Sequence, residues 1–347
     1  MTALEQRIEA GLEGKYKGLS NGFKDVNKYI FGIQKSCYTL IGGESGCFKT
    51  TMLDFMVANA IEDAIGNSIP IEVFYYSFEI DKLTKQCNWL SRAIYNKYKI
   101  VIPPEKIKGL GDNRLTTEEL EIVKSCIPDV EQLFDKIKFT FDPLNPTGIN
   151  KQLFNHYESV GEILYKPYID EHGKEKKAII GYKPNNPDSY TLACIDHLAL
   201  AKEEQGFNLK QNIDKISQYT IGLRNTFGLT AIYLQQFNDS LSSVERSKLK
   251  GVDLSPQRSD FKDTRNPYQD AEVVIGLLNP SAMDMESCMG YNVKMLNERM
   301  IMFKIIKNRL AASNLAKGLY VKPEAGIFLE MPKPSDLTIN EFYNHKI

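Results

Sequence analysis

The chain runs to 347 residues, 42% hydrophobic and 25% charged, with a formal net charge of −1. That size holds one large domain or two small ones, and the balance is that of an ordinary water-soluble globular protein. It excludes a globally basic field, so any contact with nucleic acid has to come from a local basic surface. The cysteines Cys37, Cys47, Cys87, Cys126, Cys194 and Cys288 show no C-x-x-C spacing, and only 4 histidines accompany them. This argues for reduced thiols and against a zinc centre. No stretch is apolar enough for a signal core or a membrane span. The expectation is a cytoplasmic protein with no membrane partner.

Leu4, Ile8 and Leu12 recur at helical spacing with charges between them, so residues 3–16 read as a short amphipathic helix. Residues 1–17 then form a linker helix, whose stripe packs either on its own domain or on a neighbouring subunit. A turn-rich lead-in over 18–27 precedes the apolar run 37–41, a strand, and residues 52–61 read as a helix. Between them lies Gly43-Glu44-Ser45-Gly46-Cys47-Phe48-Lys49-Thr50-Thr51, close to the phosphate-loop pattern G-x-x-x-x-G-K-[ST]. In that reading, backbone N–H groups and the helix N-terminus cradle a triphosphate. Lys49 reaches the β and γ phosphates and the Thr50 hydroxyl holds Mg²⁺. Phe48 replaces the second glycine, which crowds the phosphates or shifts the turn, while Gly46 leaves some backbone freedom. A plain glycine turn with a chance Lys-Thr is the alternative.

The β-rich run 71–78 ends at Glu79, and a helical stretch follows through Trp89, Ile94 and Tyr98. At the carboxyl end of a parallel strand Glu79 stands near whatever the loop holds, or else it is a solvated acid opening a helix. Residues 100–136 read as helical and polar, with Thr116-Thr117-Glu118-Glu119 as a helix start, and 137–141 as a short strand. Two β-like runs flank a charged, glycine-containing turn, which reads as an exposed hairpin inserted at residues 165–190. The apolar strand 190–196 ends in Asp196, an acid placed to hold the Mg²⁺ water shell. A helix over 208–227 and a strand over 229–234, ending at Gln235-Gln236, continue the strand–helix alternation of an α/β sheet.

Residues 238–268 are turn-rich and polar, with Arg246, Lys248, Lys250, Arg258, Lys262 and Arg265 among several acids. They form a candidate surface for nucleic-acid backbone, or a plain surface loop. Strands over 271–278 and 300–306 come next, the second followed by Lys307-Asn308-Arg309, where the sequence offers Arg309 no obvious acidic partner. Runs at 318–321 and 326–329 close the main domain, 18–332, and the tail 333–347 is expected to be loosely held.

Taken in order, these landmarks resemble the RecA-like motor domain of DnaB-type replicative helicases over most of the chain. Gly22-Phe23-Lys24-Asp25-Val26 resembles that family's segment ahead of the phosphate loop. Ser77-Phe78-Glu79-Ile80 resembles its Ser-Leu-Glu-Met, which implies Glu79 as the base acting on the attacking water. Ile195-Asp196-His197-Leu198 resembles the Walker B strand end. Leu234-Gln235-Gln236-Phe237-Asn238 is similar to Ser-Gln-Leu-Asn and implies Gln236 as the γ-phosphate sensor. Ser259-Asp260-Phe261-Lys262-Asp263 with Gln269-Asp270-Ala271-Glu272 resembles the motif flanking the DNA-binding loop. Lys307-Asn308-Arg309 resembles the Lys-x-Arg whose arginine enters a neighbouring subunit's site.

The resemblance implies an α/β fold, a RecA-like P-loop NTPase with a mostly parallel central sheet flanked by helices. It implies ATP and Mg²⁺ as cofactors and a homo-oligomer, a hexamer, translocating on single-stranded DNA in replication. Catalysis then falls to Lys49, Glu79, Gln236 and Arg309, with Lys307 beside the nucleotide and Thr50 and Asp196 on the metal. Arg246, Lys248, Lys250 and Lys262 contact DNA, and a primase or helicase loader is a further partner. No collar or primase segment precedes the motor in this sequence, which suggests a phage or mobile-element protein working in a host cytoplasm. Two other readings stay open: a recombinase-like DNA-dependent ATPase that does not unwind, and a nucleotide-binding regulator with weak hydrolysis.

Overall fold

The computed structural model describes residues 2–12, 14, 17–238, 254–261, 265–313 and 315–347. Helices α1 (Ala3–Leu12) and α2 (Asn27–Ile30) lead into β1 (Tyr38–Gly43) and α3 (Lys49–Gly66). Then come β2 (Ile71–Ser77), α4 (Lys82–Tyr98), α5 (Pro104–Ile107), α6 (Thr117–Phe134), β3 (Ile137–Thr140) and α7 (Pro146–Ser159). The hairpin β4 (Gly161–Ile169) and β5 (Glu175–Pro184) precedes β6 (Tyr190–Asp196), α8 (Leu209–Phe227) and β7 (Thr230–Gln236). A short helix α9 (Arg265–Asp270) enters β8 (Val273–Leu278). The small pair β9 (Ser287–Cys288) and β10 (Tyr291–Asn292) precedes β11 (Met300–Asn308), β12 (Ala316–Lys322), β13 (Ile327–Glu330) and α10 (Ile339–Tyr343).

One sheet carries the fold, in the order β13-β12-β11-β8-β1-β7-β6-β2-β3. From β8 to β3 every neighbouring pair is parallel, and β11, β12 and β13 add an antiparallel edge. The mostly parallel sheet flanked by helices is the fold class expected. Parallel strands covered on both faces carry nearly continuous apolar runs, and all seven positions of β6 are buried. Alternate residues feed two layers. Ile41, Val73, Leu192 and Ile232 pack with α3 through Leu53, Val57 and Ile61. Leu40, Phe74, Ile195 and Tyr233 pack with α7 and α8 through Leu153, Ile213 and Ile216.

The helix ends follow local chemistry. Thr116 and Glu119 form a reciprocal capping box on α6, and Asn208 with Gln211 does the same on α8. Within the polar stretch 100–136 the chain makes two separate helices, α5 and α6, with a break between them. The segment 22–26 is held by the Glu330 carboxylate, which accepts from the backbone of Lys24, Asp25 and Val26 at 2.8, 2.8 and 2.9 Å.

Three peripheral elements stand differently. Among the described residues the stripe of α1 finds no cover, with Leu4 68% and Leu12 85% exposed. The hairpin β4–β5 stands off the body and is rooted by Tyr182, whose hydroxyl donates to the Tyr157 carbonyl at 3.2 Å and whose ring meets Tyr157 and Phe227. The tail from 333 is docked, contrary to the loose end expected of a terminus. Ile339 is buried in a cluster with Met300, Tyr320 and Met331. The Tyr343 hydroxyl accepts from Asn292 N–H at 3.1 Å, and His345 bonds Tyr320 at 2.8 Å.

Candidate active site

Central strand β1 opens at its carboxyl end into the loop 44–48 and α3, at the sheet edge where α/β folds hold ligands. Register places the other carboxyl ends beside it. Gly43 lies opposite Gln236 of β7 and Leu277 of β8, and Asp196 of β6 lies opposite Ser77 of β2, two residues before Glu79. The sheet therefore brings Lys49, Thr50, Glu79, Asp196 and Gln236 to one edge.

Phe48 has φ 60 and ψ 33, the left-handed conformation for which glycine is the usual residue. The sequence departs from the loop pattern, but the backbone is the one a glycine there would adopt. Its half-buried ring packs against the core on the α3 side. Gly43 is fixed by crowding: a Cβ on it would lie 2.3 Å from Cys47 Sγ and 3.0 Å from the Leu277 carbonyl oxygen. Cys47 is itself buried, and burial pushes its thiol up to about 11. Lys49 Nζ folds back on the loop, donating to the Glu44 carbonyl at 2.6 Å.

Thr50 Oγ1 donates to Asp196 Oδ1 at 3.0 Å. Asp196 is 1% exposed, and its other oxygen, Oδ2, has no hydrogen-bond partner among the described residues. Burial raises its carboxyl to about 6, against the opposing pull of Lys85, whose Nζ lies 3.7 Å from Oδ2. That lysine is fully buried. It donates to Asp54 Oδ1 and Oδ2 at 2.9 and 3.0 Å and to the Tyr75 hydroxyl at 2.9 Å. Tyr75 in turn donates to Asp54 at 2.6 Å. His197 follows Asp196, and burial holds its imidazole below the usual range despite the charge of Glu79 nearby.

Glu79 is exposed, in a turn that the Ser77 hydroxyl ties by donating to the Ile80 carbonyl at 2.7 Å. Gln236 is exposed beside the loop, and Phe237 N–H donates to the Gly43 carbonyl at 3.1 Å. The Thr50 hydroxyl and the Asp196 carboxylate make a small, hard, all-oxygen donor set. That set fits Mg²⁺, which keeps most of its waters and takes few protein ligands.

Lys307 and Arg309 lie elsewhere. Asn308 of β11 pairs with Val273, at the amino end of β8, which in turn runs parallel to β1 from Thr39. Arg309 is therefore at the opposite sheet edge, about 15 Å along the strands from this chain's own loop. An acidic partner does exist: Arg309 Nη1 is 3.6 Å from Glu272 Oε1, while Nη2 donates to the Gln269 carbonyl at 3.0 Å. The pairing escapes the sequence because β8 and β11 meet antiparallel. Lys307 donates to the carbonyls of Tyr268 and Gln269 at 2.9 and 2.6 Å. Burial, then Arg309, pushes its ammonium down to about 8. As a nucleotide contact of its own chain Lys307 is misplaced, for the same topological reason. Arg246, Lys248, Lys250 and Lys262 lie outside the described residues.

Sequence reasoning missed Asp54, Tyr75 and Lys85. A signal was present: Asp54 interrupts the apolar run of α3, and Lys85 shares the buried face of α4 with Trp89 and Arg92.

No family model matches the chain, and no curated protein matches it in sequence. In structure it is similar to a solved ATPase domain, with a TM-score of 0.70 at 17% identity, over 95% of this chain and 96% of that one. A DnaB-like replicative helicase, described with its interactions with primase, also gives 0.70 at 17% identity, over 95% of this chain and 68% of that one. The chain thus shares the fold of these two solved structures, a mostly parallel α/β sheet flanked by helices.

Proposed function

We propose that the chain is the ATP-hydrolysing motor of a ring-forming, DnaB-type helicase that moves on single-stranded DNA. The observation that carries this is the split of the site over two sheet edges. Lys49, Thr50, Glu79, Asp196 and Gln236 share one edge, while Arg309 faces away at the other. A nucleotide on the loop is then completed by the arginine of a neighbouring copy, and such an arrangement closes most simply as a ring.

Each residue has a physical task in ATP hydrolysis. Loop N–H groups and Lys49 bind the β and γ phosphates, and Lys49 leaves its carbonyl contact with Glu44 to do so. Thr50 and Asp196 would hold Mg²⁺, which when bound neutralises developing charge on the phosphate oxygens. Glu79, exposed on its turn, orients the attacking water and takes its proton. Gln236 reports the γ-phosphate to the segment beyond β7, where Arg246, Lys248 and Lys250 meet the DNA backbone, joined by Lys262. The partners follow as single-stranded DNA, further copies of the chain, six in the ring proposed, and a primase or loader.

Strand displacement on a forked DNA, with ATPase measured alongside, tests the reading. The parent chain should separate strands with ATP and Mg²⁺, and Glu79→Gln should bind ATP yet lose turnover by ~10²-fold or more. DNA-stimulated hydrolysis without any strand separation would make it a recombinase-like ATPase instead. Nucleotide binding with no turnover would make it a regulator.

A further inference from the structure

Lys85 has no part in the phosphate chemistry above, yet it is fully buried beside the acid that chemistry needs. An ammonium is rarely buried unless it is paired and hydrogen-bonded, because taking it from water is costly. Its three donors are well used: two go to Asp54 and one to the Tyr75 hydroxyl. Asp196 is left 3.7 Å away, within its field but beyond a hydrogen bond. One ammonium thus faces two carboxylates. Lys85 and Asp54 balance each other, and the charge of Asp196 remains for a cation on the Oδ1 side, where the Thr50 hydroxyl sits.

The same contacts join three pieces of the site. Asp54 lies one helical turn beyond Thr50 on α3. Tyr75 sits near the end of β2 and Lys85 in the first turn of α4, so the two bracket the turn that carries Glu79. Asp196 ends β6. We infer that Lys85 is a positioning residue: with Asp54 and Tyr75 it fixes the Asp196 carboxylate for Mg²⁺ and pins the Glu79 turn to the phosphate-loop helix. This rests on the reading that Thr50 and Asp196 hold the metal.

Lys85→Met alone strands Asp54 in the interior and is expected to unfold readily. The informative variant replaces the whole network, Asp54→Leu with Tyr75→Phe and Lys85→Met, since swapping a buried ion pair for apolar groups of similar size is commonly neutral or stabilising. ATP affinity is measured with and without Mg²⁺, together with kcat, on parent and variant. The variant should unfold cooperatively near the parent's midpoint and bind Mg²⁺-free ATP as the parent does. The gain in ATP affinity conferred by Mg²⁺ should shrink ~10-fold or more, with a similar fall in kcat. A folded variant with the parent's Mg²⁺ gain and kcat would overturn the inference, leaving the network purely structural. A parallel loss of affinity with and without Mg²⁺ would also overturn it, since the damage is then to the loop helix. If the parent itself shows no Mg²⁺ gain, the metal reading fails first, and the inference falls with it.

Discussion

Phe48 is the residue that most separates this loop from the usual pattern, and its backbone explains how it is tolerated. At φ 60 a non-glycine residue costs about 1–2 kcal/mol. Packing of the half-buried ring against the core offsets part of that, by about 1 kcal/mol. The two terms give an unusual order of variants. Phe48→Ala keeps the strained backbone and loses the ring, and should destabilise by about 1 kcal/mol. Phe48→Gly loses the ring but relieves the strain, and should fall within about 0.5–1 kcal/mol of the parent. Urea unfolding of the three proteins checks this. Alanine as the more stable variant would mean that the ring, not the left-handed turn, decides the position. Turnover should change little in Phe48→Gly, because the loop keeps the path it already has.

At the scale of elements, what was legible tracks how local the signal is. The strand, loop and helix around Lys49 declare themselves within a dozen residues, as do β2, β6 and β7 with their acids and amides at the carboxyl ends. The Thr50–Asp196 contact joins residues far apart in sequence, yet two parallel strand ends made it foreseeable. The network on Lys85 was not foreseeable in detail, because a charge on an apolar helix face does not name its partners. Helix α7 does carry a stripe, Ile149, Leu153 and Tyr157 at i, i+4 and i+8, which was passed over behind its polar, proline-led start. Helix α10, with only five residues, is too short to show a periodicity. The docked tail yields a test: Ile339→Ala should cost about 2–4 kcal/mol in urea unfolding, the loss for a large aliphatic side chain in a packed core. A change below about 0.5 kcal/mol would return the tail to the loosely held state expected of a terminus.

For the whole molecule the consequential feature is that β11 runs antiparallel to β8. That reversal delivers Arg309 to the amino edge of a sheet whose carboxyl edge holds the loop. The arginine rests meanwhile on Glu272 and on the carbonyl of Gln269, at the end of α9. Glu272 is also bonded by Arg224 and by the Tyr38 N–H at 2.9 Å, so the arginine's station is tied to α8 and to β1 itself. A ring in which each Arg309 serves the next Lys49 would carry nucleotide state from loop to β1 to the opposite interface through these contacts.

Subunit mixing tests that account most directly. Lys49→Ala removes the cation at the phosphates, and Arg309→Ala removes the group proposed to reach the neighbour, worth on that reading ~10³-fold or more in turnover. Each variant should be inactive as a homo-oligomer. Mixed and allowed to exchange subunits, they should regain part of the ATPase rate, since some interfaces then pair an intact Lys49 with an intact Arg309. No recovery at any mixing ratio, or an Arg309→Ala protein that hydrolyses ATP at the parent's rate, would contradict it.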